Sequence, residues 1–222
     1  MLQYWIVDLR FSSSMMALFG EKWISLRLNF RILKIKKVHS IVSSILFIFL
    51  LSFCIYNADD LSIYDISLSK FGIYPKTLWI WNIGLFILGI ILYIHSLKHI
   101  VKYFKSITNG ISAMFGLSTI FLLLTASINM SYSIHNWAAV SYFLGYVISI
   151  FLFGYNLLDS DFRIGITSIC ISIISVLFPL LGLYFFKGFA IPEIIHTLCI
   201  FLWIIVLSFD SEYKLFLKRF GF

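Results

Sequence analysis

Glu193 and His196 stand three residues apart in the apolar run IPEIIHTLCIFLW, Ile191–Trp203. On a helix that spacing sets the two side chains about 60° apart, on one face. A carboxylate beside an imidazole can orient a base that activates water. A second polar cluster, Ser133, His135 and Asn136, opens the run SYSIHNWAAVSYFLGYVISIFLFGY, Ser131–Tyr155. If His135 joined the first pair, two imidazoles and a carboxylate would hold a zinc ion with one position open. The same groups would serve equally to hold a lipid headgroup. A plainer reading stands beside these. Pro192 suits the first position of a helix, and a glutamate directly after it sits favourably on the helix dipole. His135 and Asn136 can cap the helix they begin, and polar groups in lipid pair with one another because the solvent offers no partner. No metal or cofactor is expected at this layer, since only two of the three candidate ligands are near in sequence.

Other constellations are weaker. His95 and His99 have the i, i+4 spacing of two metal ligands, but a site needs a third. Nothing brings Asp159, Asp161 or His39 to them, and Lys98 and Lys102 disfavour a cation there. The chain has no Gly-rich phosphate loop, no HExxH, no CxxC and no defensible Ser-His-Asp order. Cys54, Cys170 and Cys199 all lie in apolar stretches and read as packing residues rather than a disulfide framework.

The elements that must position these residues follow from composition. Of 222 residues, 61% are hydrophobic and 12% charged, against roughly 45–50% and about 25% in a soluble domain. The mean hydropathy is +0.98. Most of the chain therefore faces lipid or other helices. Six apolar segments are expected: Ser40–Tyr56, Thr77–His95, Ile111–Asn129, Trp137–Leu158, Ile164–Phe186 and Ile191–Phe209. Each approaches the ~20 residues a helix needs to cross a bilayer. Pro179, followed by Gly182, predicts a kink in the fifth. Ala138, Ser141, Gly145 and Ser149 form a stripe of small residues that lets a neighbour approach closely, which marks the fourth segment as the central helix. Trp79, Trp81, Trp137 and Tyr184 sit near segment ends, where aromatic rings favour the headgroup layer.

The net charge of +7 follows the bilayer rather than a nucleic acid. Of the 17 Lys and Arg residues, only Lys70, Lys76 and Lys187 fall on one side of the six segments. The other side holds the rest, so the positive-inside rule places both termini in the cytoplasm. Residues 24–32, ISLRLNFRI, alternate with period two and match no membrane helix. The leader carrying them is either an amphipathic surface segment facing anionic lipid or a flexible basic tail, with Met15 or Met16 as an alternative start.

A family resemblance enters through three stretches. LSKFG (Leu68–Gly72) and WNIGLFILGIIL (Trp81–Leu92) resemble the "LSDLG … FN-x-GL-x-x-x-G" pattern of the six-helix membrane family called domain of unknown function 998, in particular its archaeal members. HNWAAVSYFLG (His135–Gly145) is similar to that family's "H-x-x-x-A-x-x-x-F" motif at the start of helix four, and the distances between motifs agree. The resemblance covers about Val38 to Phe209 and implies a six-helix membrane bundle without an established activity. Lys70 stands where the pattern has an acid, and the usual Phe-Pro near the histidine is absent. Any family activity that needs those residues is then altered or lost here.

The reading that results is an all-α, polytopic membrane bundle of six transmembrane helices. It places a basic tail over residues 1–37, the bundle over 38–210 and a cytoplasmic tail over 211–222. The expected location is the cell membrane, with membrane lipids as partners and no nucleic acid. The expected function is a non-enzymatic lipid-binding or structural membrane protein. Its outward-facing polar layer comprises Asn82, Asn129, His135, Asn136, Glu193 and His196. The alternative is an intramembrane hydrolase-like enzyme or a small-molecule transporter using Glu193, His196 and His135. Transport is disfavoured because no charge falls in the middle of any segment.

Overall fold

The computed structural model describes residues 41–95 and 109–220, with side chains over 41–94 and 110–209. The basic tail over 1–37, His39, His99, Lys98, Lys102, Lys105 and the His95 side chain lie outside the described residues. The described chain is all-helical: α1 (Ile41–Asn57), α2 (Leu78–His95), α3 (Asn109–Ser127), α4 (Ser133–Leu157), α5 (Phe162–Phe185) and α6 (Ala190–Phe220). A short 3-10 helix, Leu68–Gly72, lies between α1 and α2. Four helices are long and apolar enough to cross a membrane, α3 to α6. Ile41–Asn57 and Leu78–Ile94 are apolar but shorter as described. Lipid rewards helices because every backbone group is satisfied within the segment. The hydroxyls along them follow the same rule. Ser118, Thr119, Thr125, Ser149 and Thr197 each donate to the carbonyl four residues back, at 2.6–2.8 Å.

Helices pack in chain order, α2 on α3, α3 on α4, α4 on α5 and α5 on α6. The cluster closes on α6. Trp203 stacks on Phe115 of α3 and meets Phe153 of α4 edge-on, both at 5.2 Å between ring centroids. Its indole N–H donates to Ser168 Oγ of α5 at 2.9 Å. Phe201 packs on Phe47 of α1 at 5.5 Å. The central helix is therefore α6 rather than α4: its apolar span is 56% buried, against 39% for α4. The small-residue stripe works as a local contact. A Cβ on Gly145 would collide with Ser118 of α3, and one on Gly154 would meet the Gly165 carbonyl of α5. Small residues thus mark where α4 touches its two neighbours, whereas the bulky aromatics of α6 fill the middle.

Several boundaries differ from the sequence reading. α4 begins at Ser133, so His135 and Asn136 lie in its first turn, and Tyr132 is the N-cap with no side-chain cap bond. α6 begins at Ala190, which puts Pro192 third in the helix, still among the first four amides that have no intrahelical acceptor. α6 also runs on to Phe220, through the stretch read as a tail. Trp79, Trp137 and Tyr184 are 72%, 72% and 85% exposed, as rings facing lipid or headgroups would be. Trp81 is not part of that belt. It is 2% exposed and packs edge-on against Phe71 at 5.3 Å.

The connection from α1 to α2 folds back over one end of the bundle. Tyr64 and Ile66 carbonyls accept the Gly188 and Ala190 amides, both at 2.8 Å. This pairing ties the α1–α2 connection to the α5–α6 turn. Gly188 permits it, because a Cβ there would overlap the backbone of Asp65 and Ile66. At the rim Lys76 Nζ bonds Asp59 at 3.2 Å, and that hydrogen bond raises the lysine above its ordinary range. Both side chains are more than half exposed, so water screens the pair.

Candidate functional site

The 3-10 helix Leu68–Gly72 is held by side chains from three α-helices. Glu193, in the first turn of α6, accepts the Leu68 amide on Oε2 at 2.7 Å. His135 of α4 bonds Ser69 Oγ through Nε2 at 2.8 Å. Asn82 of α2 donates from Nδ2 to the Gly72 carbonyl at 3.0 Å. Start, middle and end of the segment are each fastened. The far side of His135 meets the Ile128 carbonyl at the end of α3, 2.8 Å from Nδ1. A carbonyl only accepts, so Nδ1 carries the proton and Nε2 accepts from the Ser69 hydroxyl. Thr77 adds a buried bond from its hydroxyl to the Phe71 carbonyl at 2.7 Å.

His196 is fastened elsewhere. Its Nδ1 lies 3.0 Å from the Ser175 carbonyl of α5. Pro179 explains why that carbonyl is available. Proline has no N–H, so the carbonyl four residues earlier, Ser175, loses its intrahelical donor. The imidazole Nδ1–H takes the place of that amide. The ring also meets Phe143 edge-on at 4.7 Å. Its other nitrogen, Nε2, is buried and has no partner among the described residues. His196 is 5% exposed.

These groups border a cleft of about 460 Å³. Asn136, Ala139, Val140 and Phe143 line it from α4, Pro179 and Leu183 from α5, and Pro192, Glu193 and His196 from α6. Ser67, Ser69 and Phe189 complete the wall from the connections. A second, smaller cavity of about 50 Å³ lies deeper, toward Phe47, Leu85 and Leu122, and shares Ser69, Ala139, Phe143 and Glu193 with the cleft. Glu193 thus borders both spaces.

The sequence candidates separate accordingly. Asn82, His135 and Glu193 meet through the 3-10 helix rather than by touching one another. His196, Glu193 and Asn136 line the cleft. Asn129 belongs to neither: its Oδ1 accepts the Ser131 amide at 2.9 Å in the exposed α3–α4 turn. No hydrogen bond joins Glu193 to His196 or His135 among the described residues. No group of three or more His, Cys, Asp or Glu among them is placed to hold a metal ion. Ser69 and Phe143 are site residues that side-chain chemistry alone did not single out. Both lie inside the quoted motifs, LSKFG and HNWAAVSYFLG, which was the available signal.

A family model described as "Protein of unknown function (DUF998)" matches residues 41–210. The chain belongs to the DUF998 family. No curated protein and no solved structure matches it. The matched region covers every helix that contributes to the cleft. In this DUF998 protein the loop motif LSKFG is the 3-10 helix itself. Lys70, at the motif's usual acidic position, is exposed. Glu193, far along the chain, brings a carboxylate to the segment through its bond to the Leu68 amide.

Proposed function

We propose that this DUF998 protein is a non-enzymatic, multi-pass protein of the cell membrane that binds a single lipid-like molecule in the cleft between α4, α5 and α6. The cleft carries the reading. Its volume lies within the roughly 300–1,000 Å³ of small-molecule sites. Its walls are Val140, Phe143, Leu183 and Phe189, and its polar groups gather at one place, around Ser69, Asn136, Glu193 and His196. That division suits an amphiphile with one apolar arm and one polar head. The non-enzymatic part is supported by the separation of Glu193 from both histidines, which leaves no carboxylate–imidazole pair of the kind the hydrolase reading calls on. In this reading all six helices cross the membrane, both termini are cytoplasmic and the cleft opens on the outer side.

Mass spectrometry of lipids retained by the purified protein tests the proposal. We expect one amphiphile per chain to survive delipidating washes. Val140→Trp, at an exposed position of the wall, should reduce that retention at least about fivefold by filling the cleft. Equal, detergent-level lipid in both proteins would overturn it.

A further inference from the structure

We infer that the cleft selects an amphiphile whose head donates hydrogen bonds, a hydroxyl or an amine, and rejects anionic heads such as phosphate or carboxylate. The inference rests on the lipid-binding reading of the cleft and specifies its ligand.

The argument is one of hydrogen-bond polarity. His196 spends its Nδ1 proton on the Ser175 carbonyl, so Nε2 is left as an acceptor, buried and without a protein partner. Glu193 spends Oε2 on the Leu68 amide, which leaves Oε1 without a partner among the described residues. Ser69 gives its proton to His135 and retains only acceptor capacity. Three of the polar residues that border the cleft therefore have spare acceptor capacity. Among the described residues no lysine or arginine lines it. An anionic head would meet a carboxyl group and these lone pairs with no cation to offset them, and only the neutral donors of Ser67 and Asn136 to receive it. A hydroxyl or ammonium head supplies the donors these acceptors lack. An unpaired buried acceptor is costly, so the orphan Nε2 is a reason for the ligand to bind rather than an accident of packing.

The test compares three amphiphiles of equal chain length on the full chain in detergent: a monoacylglycerol, an alkylamine and an alkyl phosphate. Binding is read by native mass spectrometry. The wild type should hold the first two at least about tenfold more tightly than the phosphate, the difference expected for one charge-assisted hydrogen bond and a removed repulsion. His196→Phe keeps the ring volume but removes the acceptor, and should shrink the preference to threefold or less. Leu144→Ala, at an exposed position of α4 that lines neither space, keeps the preference and controls for folding. Equal binding of all three heads, or tighter binding of the phosphate, would overturn the donor-head inference while leaving a lipid site standing. No binding of any of the three would overturn both.

Discussion

At the scale of single residues, the pairing of Pro179 with His196 is the least expected feature. Proline in a helix is read as a kink, and a histidine in an apolar span as a candidate ligand. Here each accounts for the other, since the imidazole Nδ1–H stands in for the amide that proline lacks, 3.0 Å from the Ser175 carbonyl. His196→Phe should then strand that carbonyl and cost about 1–3 kcal/mol. With Pro179→Ala in place the backbone amide returns, and the same histidine change should cost clearly less. Thermal unfolding of the four proteins in detergent measures the coupling; strictly additive losses would show that the two residues act separately. Glu193 allows a parallel prediction. Glu193→Gln still offers an oxygen to the Leu68 amide, whereas Glu193→Leu leaves it unpaired. Leu should lower stability by about 1–3 kcal/mol relative to Gln. Equal melting temperatures would mean that the bond at 2.7 Å contributes little.

At the scale of elements, the segment Leu68–Gly72 and the pairing of Tyr64–Ile66 with Gly188–Ala190 form a clasp over one end of the bundle. Gly188→Ala should loosen it, because the added methyl meets backbone atoms that have nowhere to move. A loss of about 1–3 kcal/mol is expected, as for overpacking in a core. Gly84→Ala is the comparison: its methyl meets the end of the Leu50 side chain, which can rotate aside, so it should show the smaller loss. A reversed order would mean that the connection is not held by this pairing. Much of the helical framework was legible, since an apolar run in lipid has little choice but helix. What was not legible depended on distance along the chain. The Ser69–His135 bond spans 66 residues and the Glu193–Leu68 bond 125, and no local pattern encodes either. Trp81 looked like a headgroup ring because it sits near a helix start. It is core because the clasp brings Phe71 down onto it. The small-residue stripe of α4 reported close contacts truly, but close contact is not centrality. The middle of the bundle belongs to the aromatics of α6 instead.

At the scale of the whole molecule, three connections meet at one end: α1–α2 with α5–α6 through backbone pairing, and α1–α2 with the α3–α4 end through Ser69, His135 and Ile128. Helices α1 to α6 therefore alternate in direction. The clasped end holds Lys70, Lys76 and Lys187, offset by Asp59, Asp60 and Asp65, whereas the first turn of α5 at the opposite end carries Arg163. In chain order the remaining basic residues precede α1, link α2 to α3, or fall in the last turns of α6. If α1 and α2 cross the membrane together with the four long helices, the positive-inside rule turns the clasp and its cleft outward. Ser69 is a poor place to ask, since it is part of the site. Lys187 is exposed and makes a better one. A cysteine at Lys187 should react with an impermeant maleimide on intact cells, and a cysteine at Ser106, between α2 and α3, should react only after the membrane is opened. The unmodified chain serves as the blank for Cys54, Cys170 and Cys199. Labelling at Ser106 on intact cells with protection at Lys187 would invert the molecule. The cleft would then draw its amphiphile from the cytoplasmic leaflet. Labelling of both from outside would mean that an even number of helices cross between the two positions, so that α3, α4 and α5 do not all span the bilayer.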